Sequence, residues 1–235
     1  MKLNKLSMIA FLSAGLFFTA CNQDQMENPE ANLNTKLDSV SYALGFQNGS
    51  FLGREGIDEL NMNDYNAGIK AGLTSEEGAL TQDEIMAVTN SYLQEIQEQQ
   101  SSDNIASGEA FLEENLAKEG VQETESGLQY KVIEEGNGDS PTAENIVQVH
   151  YEGTLIDGTV FDSSYERGQP AEFPLNRVIP GWTEGVQLMK EGATYEFYIP
   201  AELAYGARAP QGSPIGPNET LIFKVELLDV KAPQN

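Results

Sequence analysis

The chain has very few of the side chains on which nucleophilic and metal-dependent catalysis rely. Among its 235 residues there is one cysteine, Cys21, and one histidine, His150. A single cysteine excludes an intramolecular disulfide, and one histidine with one cysteine is too few for a zinc site of the usual kind. A Ser-His-Asp triad would depend on His150 alone. We therefore expect neither a metal nor any other cofactor.

Basic residues are also scarce. Lys and Arg total 13 against 37 Asp and Glu, so that the formal net charge is −24. A surface of this charge repels phosphate backbones, which excludes nucleic acid as a partner, and the acidity is interpreted as a source of solubility. The segment Gly136-Asn-Gly-Asp139 lacks the lysine of a phosphate loop, and Asp157, Asp162 and Glu166 lack the alternating spacing of a calcium loop.

No apolar run is long enough to cross a membrane. The one near the N-terminus begins at Met8 and ends at Phe18, after Lys2 and Lys5. A basic start, a short apolar run and small residues after it are typical of a secretory signal. We therefore predict a cleaved signal peptide of the lipoprotein type over residues 1–20.

The residues at the predicted cleavage point, Phe18-Thr-Ala-Cys21, resemble a bacterial lipobox, although an aliphatic side chain is usual at the place of Phe18. In lipoproteins the cysteine becomes the lipidated first residue of the mature chain. The resemblance implies a protein of the bacterial cell envelope, anchored by lipid on Cys21 to the outer membrane and facing the periplasm or the surface. The alternative is a plain secretory signal followed by an unrelated cysteine.

The chain after the signal divides into a tether, a helical segment and a strand-rich segment. Residues 21–35 are polar and without periodicity, which predicts a flexible tether. Residues 36–120 carry apolar residues spaced by three and four positions, as in helices. This segment has few aromatics and would bury little surface alone, so we expect a homodimer formed through it. The alternative is packing against the chain's own C-terminal segment.

Three helices are predicted in the helical segment. The first is expected to end near Gly53, and the second to be capped by Asn63 or Asp64. The third opens with the capping box Thr81-Gln-Asp-Glu84 and is predicted to continue to Glu119. Its middle, residues 97–103, is entirely polar and would be solvated on every side, so that this helix is either a spacer between domains or broken near Ser101.

After Gly120 the periodicity changes to two, which indicates β-strands. Asp157-Gly158 predicts a hairpin turn, and a short helical pattern begins at Pro180. The predicted fold class is α+β: a helical domain with a long connecting helix, then residues 121–235 as an antiparallel twisted sheet wrapped on one short helix. The alternating runs are Leu128–Ile133, Val147–Tyr151, Thr194–Ile199 and Leu221–Leu227.

Five strings in the strand-rich segment resemble the FKBP family of peptidyl-prolyl isomerases, and they occur in this order: Val149-His-Tyr-Glu-Gly153, Asp157-Gly-Thr-Val-Phe-Asp-Ser-Ser164, Val178-Ile-Pro-Gly-Trp-Thr-Glu-Gly185, Ile199-Pro-Ala-Glu-Leu-Ala-Tyr-Gly206 and Leu221-Ile-Phe-Lys-Val-Glu-Leu227. Upstream, Ser41-Tyr-Ala-Leu-Gly45 and Gly108-Glu-Ala-Phe-Leu-Glu-Glu-Asn115 resemble the N-terminal region of the dimeric bacterial members, the macrophage infectivity potentiator group. The resemblance covers nearly all of the chain after the signal peptide.

The resemblance implies a prolyl pocket in residues 121–235. Trp182 would be its floor and Tyr151, Phe161 and Phe223 its walls, while Asp162 would anchor the rim with Arg167 or Tyr151. Tyr205 would offer its hydroxyl to a substrate carbonyl. The remaining residues implied to bind substrate are Phe173, Val178, Ile179 and Ile215. On spacing alone, core packing also explains Trp182 and Phe223, a turn cap explains Asp162, and a solvated loop explains Arg167.

The sequence departs from the family pattern at three places. Ala171 lies where better-known members have a wall aromatic, and Leu203 replaces a tyrosine. The loop from Ala207 to Pro217 lacks the histidine that some members carry. These departures bear on sequence preference and on affinity for macrocyclic inhibitors more than on activity.

The implied activity is cis-trans isomerisation of X-Pro bonds in unfolded or exported polypeptides, with macrolides of the FKBP class as possible inhibitors and with chaperone activity beside it. Rotation about an amide breaks no bond, so the reaction needs no nucleophile or metal. The alternative is a non-catalytic peptide-binding or holdase lipoprotein whose prolyl pocket has decayed.

Overall fold

The structure, a computed structural model, describes residues 30–74, 78–210 and 212–233. The predicted signal peptide, Cys21 and most of the tether lie outside these residues. No helix in the described part of the chain is both long and apolar enough to cross a membrane. The chain divides into two compact units, Met1–Phe51 and Leu52–Asn235.

The first unit consists, in its described part, of an extended segment and most of helix α1, Lys36–Arg54. The hydroxyl of Thr35 accepts a hydrogen bond from the Asp38 N–H at 3.1 Å, and the Asp38 carboxylate accepts one from the Thr35 N–H at 2.8 Å. This reciprocal pair satisfies the free N–H groups at the start of the helix. No residue of α1 is buried, although the helix carries several large apolar side chains.

The second unit contains two further N-terminal helices, α2 (Met62–Thr74) and α3 (Gln82–Leu116). The cap of α2 is Asn61, whose side-chain oxygen accepts the N–H groups of residues 63 and 64, so the prediction of Asn63 or Asp64 as the cap is wrong. The capping box at Thr81 and Glu84 is confirmed.

Helix α3 is continuous and unbroken at Ser101. The expectation that its polar middle is solvated on every side is wrong, because the Asn218 amide donates a 2.7 Å hydrogen bond to the Ser101 hydroxyl. The polar residues of this stretch therefore do not all face water. The helix ends at Leu116, three residues before the predicted end at Glu119.

The rest of the second unit is a seven-stranded antiparallel sheet with one helix, α4 (Pro180–Gln187). The strand order is β1-β2-β6-β7-β3-β4, and β5 pairs with β3. The structure also has two short 3-10 turns. Leu175–Arg177 leads into α4, and Ala201–Leu203 follows β6. The strands are β1 (Val121–Glu123), β2 (Gln129–Glu134), β3 (Ile146–Leu155), β4 (Val160–Ser163), β5 (Ala171–Pro174), β6 (Thr194–Ile199) and β7 (Leu221–Lys231).

One face of the sheet packs on α4 and forms the core. Helix α4 lies close to β6 because Gly181 and Gly185 face it: a Cβ on Gly181 would lie 2.5 Å from the Ile199 side chain, and one on Gly185 would lie 2.7 Å from the ring of Phe197. The apolar positions predicted to face inward are buried, including Trp182 on α4. The sheet and its short helix therefore match the predicted architecture.

The opposite face of the sheet is partly covered by the C-terminal end of α3. Tyr198, which alternation predicts to be solvated, is only 7% exposed because Phe111 lies against it, with ring centroids 6.1 Å apart. Gln129 is buried as well, and its amide donates to the Leu112 carbonyl at 2.9 Å and accepts from the Asn115 amide at 3.0 Å. This end of α3 is thus fixed to the sheet.

Candidate active site

The hairpin at Asp157-Gly158 brings the pair Phe161-Asp162 beside β3. Gly153 is the residue where the three strands meet, since it pairs with Asp162 on β4 and with Phe223 on β7. A Cβ on Gly153 would lie 2.6 Å from Phe161 and 2.8 Å from Phe223. The absence of a side chain there lets the two rings meet edge to face, with centroids 5.4 Å apart.

These rings enclose one side of a cavity of about 580 Å³. Trp182 lies at its base, 4% exposed, with three rings edge-on around it. Ring centroids lie 5.3 Å away for Tyr151, 5.2 Å for Phe223 and 5.8 Å for Phe173, all at 83° to 89°. The lining residues are Tyr151, Phe161, Asp162, Phe173, Arg177, Val178, Ile179, Trp182, Tyr205, Pro210, Ser213, Ile215 and Phe223.

The rim of the cavity carries a connected polar group of three side chains. The Tyr151 hydroxyl donates to one oxygen of the Asp162 carboxylate, and Arg167 donates to the other. Arg167 also donates to the Tyr151 oxygen at 2.8 Å and lies over the Tyr151 ring at 5.4 Å. Since the Asp162–Arg167 pair is largely exposed, its contribution to stability is small and its main effect is to orient Tyr151 and Asp162.

Two phenols at this site stay neutral across the physiological range. Burial raises the pKa of Tyr151 to about 12, and its hydrogen bond to Asp162 acts in the same direction. Burial also raises the pKa of Tyr205, with the nearby charge of Asp162 adding to the effect. Tyr205 lines the cavity and is 41% exposed, so its hydroxyl is accessible as a hydrogen-bond donor to a ligand.

The structure brings ten of the eleven predicted pocket residues together around one cavity. The eleventh, Arg167, does not line the cavity but contacts Asp162 and Tyr151. The predicted lipidation site, Cys21, lies outside the described residues.

Sequence reasoning missed three lining residues: Arg177, Pro210 and Ser213. Arg177 directly precedes the predicted Val178, and the other two lie in the loop from Ala207 to Pro217, in which only Ile215 was predicted. Two of the three departures from the family pattern, Ala171 and Leu203, pack against the core and do not line the cavity.

The single histidine is not part of the cavity lining. His150 lies on the opposite side of β3 from Tyr151, where its Nδ1 is 3.0 Å from the Ser164 hydroxyl and its ring stacks on Tyr165 at 4.7 Å. Within the described ranges no cluster of three or more His, Cys, Asp or Glu is placed to hold a metal ion. The arrangement offers an apolar, ring-lined space with hydrogen-bond donors at its edge.

Two family models match the chain, and together they cover most of it. The model described as FKBP-type peptidyl-prolyl cis-trans isomerase matches residues 138–228. The model described as the domain amino terminal to FKBP-type peptidyl-prolyl isomerase matches residues 37–132. The second match spans nearly all of the helical segment, β1 and the first four residues of β2.

Individual proteins resemble the chain over nearly its full length. The outer membrane protein MIP of Legionella longbeachae is 40% identical, over 94% of this chain and 97% of its own. The peptidyl-prolyl cis-trans isomerase Mip of Coxiella burnetii is 41% identical, over 95% and 97%. The crystal structure of FkpA from Escherichia coli is 37% identical with a TM-score of 0.64, covering 85% of this chain and 98% of that one, which confirms the predicted fold class.

The raised pKa of Tyr151 makes a prediction for alkaline titration. Subtracting the tyrosinate absorbance of the Tyr151→Phe variant from that of the wild type isolates the ionisation of Tyr151. This difference should rise near pH 12 rather than near pH 10. Because the folded-state pKa is the higher one, the stability from this phenol is present below pH 10 and is lost as the pH rises toward 12. A difference curve centred at pH 10 would contradict the burial of this phenol together with its hydrogen bond to Asp162.

Proposed function

We propose that this chain, which belongs to the family of FKBP-type peptidyl-prolyl cis-trans isomerases, holds the proline ring of its substrate against Trp182. Relatives of 41–47% identity carry the isomerase name, and the chain is an enzyme of that class. The observation that carries the assignment of the site is the buried Trp182 ring with three aromatic rings edge-on around it.

The reaction is a rotation about an amide bond, and the pocket would lower its barrier by exclusion of water. The barrier in water is about 18–20 kcal/mol because resonance keeps the amide planar. Twisting removes that resonance and makes the carbonyl less polar, so the twisted state loses less hydration than the planar state does. An apolar pocket therefore favours the transition state over the ground state.

The polar residues of the rim would place the peptide rather than react with it. Tyr205 would donate its neutral hydroxyl to the carbonyl before or after proline, since its phenol stays protonated at the pH of the envelope. Asp162, held on both oxygens by Tyr151 and Arg167, would fix the wall on which Phe161 lies. The roles proposed for Phe173, Val178, Ile179 and Ile215 are apolar contacts with the residues flanking proline.

Removal of Phe161 or Asp162 should lower kcat/KM strongly. Truncating Phe161→Ala opens the wall to water. Asp162→Asn removes the negative charge and replaces one acceptor oxygen with an NH2 donor, so that Tyr151 and Arg167 can no longer each donate to their own oxygen. We expect a fall of about tenfold to a hundredfold in proline-limited refolding or peptide isomerisation, as for misplaced binding groups generally. The matched control is Asp229→Asn, a half-exposed acid on β7 outside the cavity, which should keep wild-type activity.

Two outcomes would change the proposal. Wild-type rates in both pocket variants, with unchanged fluorescence of the single tryptophan, would contradict the site. A wild-type protein that binds proline peptides without accelerating isomerisation would favour the alternative, a peptide-binding or holdase lipoprotein with a decayed pocket.

The N-terminal helices would form the interface of a homodimer. On α1, Leu37, Leu44 and Phe46 are 74%, 56% and 65% exposed, and no residue of the helix is buried. Apolar side chains of this size in such number on one helix are covered in solution by a partner surface. A second copy of the helix is the partner we propose, and the match of the amino-terminal family domain to residues 37–132 supports it.

The dimer proposal predicts the effect of charge on α1. Leu44→Glu with Phe46→Glu should convert the protein from dimer to monomer in sedimentation velocity, because burying two carboxylates opposes association. The control is Ile133→Glu, which changes an equally exposed apolar residue on β2 and should leave the mass unchanged. A wild-type monomer that holds unfolded polypeptides through this helix would favour a chaperone surface instead.

The relatives named outer membrane protein MIP and FkpA support a place in the bacterial cell envelope. There the substrates would be proline-containing exported polypeptides still unfolded, and macrolides of the FKBP class would compete for the same pocket. We propose that lipid on Cys21 anchors the chain to the outer membrane.

Lipid attachment predicts the mass and location of the mature protein. The protein from the membrane fraction should begin at residue 21 and carry the added mass of acyl chains, whereas Cys21→Ser should be recovered without them. An unacylated mature chain in the soluble fraction would favour the plain secretory signal.

A further inference from the structure

One side of the cavity is formed by a loop that lies against helix α3. We call residues 212–220 the pocket loop. It carries two lining residues, Ser213 and Ile215, and Ile215 is buried. Its shape therefore sets the volume available to a ligand. The middle of α3, which the isomerase site does not use, contacts the far side of this loop.

Two hydrogen bonds join α3 to the pocket loop. The Asn218 side-chain amide donates to the Ser101 hydroxyl at 2.7 Å, and the Asn104 side-chain amide donates to the Pro217 carbonyl at 2.9 Å. Ser101 and Asn104 are three positions apart and share one face of the helix. Both bonds are partly buried. Loss of either bond would leave its remaining polar partner unsatisfied at a place that water reaches only in part, which is unfavourable.

Asn218 adopts a backbone conformation that requires support. Its φ of 55° is the only positive value at a non-glycine residue within the described chain. Asparagine tolerates this region better than most residues, but at some energetic cost. Its N–H donates to the Gly206 carbonyl at 2.8 Å, directly after Tyr205. Asn218 thus connects α3, the pocket loop and the turn that carries Tyr205.

Helix α3 holds the pocket loop firmly because the helix backbone lies close to the loop at Gly108. A Cβ on Gly108 would lie 2.4 Å from the hydroxyl of Thr220, which is buried at the end of the pocket loop. One turn further along, Phe111 packs on Tyr198 of the sheet. The helix is therefore fixed to the loop and to the sheet on the C-terminal side of Ser101 and Asn104.

We propose that Ser101, Asn104 and Asn218 form a clasp through which α3 holds the pocket loop in its substrate-binding shape. They are positioning residues, since none of them lines the cavity. When a loop spends only a fraction of its time in the competent shape, the apparent dissociation constant rises by the inverse of that fraction. The clasp keeps this fraction high. The proposal rests on the proposed function only in that the same cavity binds substrate.

The clasp predicts a change in substrate binding more than in turnover. Ser101→Ala and Asn104→Ala alter the helix alone and leave every residue of the loop and the cavity in place. Each should raise KM for a proline-containing peptide by roughly threefold to tenfold, the effect of one lost hydrogen bond. The value of kcat should change less than KM, because Trp182 and the rim stay in position. Ser101→Thr keeps the hydroxyl and should restore KM.

The matched control is Ser107→Ala on the same helix. The Ser107 hydroxyl is exposed and lies 2.8 Å from the Asp103 carbonyl and 3.2 Å from the Asn104 backbone carbonyl, both within α3, and among the described residues it makes no hydrogen bond to the loop. The second measurement, amide hydrogen exchange, needs no activity. In Ser101→Ala and Asn104→Ala the N–H groups of Ile215 and Asn218 should exchange faster, whereas those of β6 and β7 should not.

The two readouts separate the clasp from the proposed function. If the wild type has no isomerase activity but the pocket-loop amides exchange faster in the clasp variants than in the wild type, the clasp is supported and the proposed function is contradicted. An active wild type whose clasp variants show unchanged exchange and unchanged KM would overturn the clasp. So would an equal fall of kcat and kcat/KM together with faster exchange throughout the sheet, because that pattern indicates general destabilisation.

Discussion

The close approach of α4 to the sheet is the constraint on which the cavity depends. Gly181 and Gly185 leave room for the side chains of β6 at 2.5 Å and 2.7 Å from where a Cβ would be. Because the helix lies so near, the Trp182 ring reaches the rings of Tyr151 and Phe223 edge-on. A larger residue at either glycine would lift the helix and open the base of the cavity to water. Gly181 and Gly185 therefore affect function only through the close packing of α4 on β6.

The same physical logic explains why this site needs so few reactive groups. A reaction that only rotates a bond is accelerated by shape and by exclusion of water, both of which aromatic side chains supply. The two phenols at the site are held neutral by their raised pKa values, and the Asp162 carboxylate accepts from Tyr151 on one oxygen and from Arg167 on the other. Residues that set the shape of the cavity from outside, such as those of α3, then become as important as those that line it.

Much of the fold and of the site follows from patterns that are local in the sequence. Alternation in the strands predicts the core face because each side chain of a strand points opposite to its neighbour. It fails at Tyr198, since the cover over that residue comes from Phe111, 87 positions away. The exposure of the polar middle of α3 is mispredicted for the same reason. Ser101 and the nearby Asn104 form hydrogen bonds with a loop that lies more than 110 residues later in the chain. Ser213 and Pro210 were missed because no periodicity marks a loop residue as facing a cavity.

The central claim is that the proline ring of the substrate lies on Trp182, and nuclear Overhauser effects test it most directly. Trp182 is the only tryptophan in the chain, so its indole resonances are assigned without ambiguity. In the presence of a peptide with one X-Pro bond, cross-peaks should join the indole protons to the proline ring and exchange between the cis and trans forms should accelerate. If exchange accelerates but the indole protons show cross-peaks only to other residues of the peptide, or show none, the placement of the proline ring on Trp182 is contradicted.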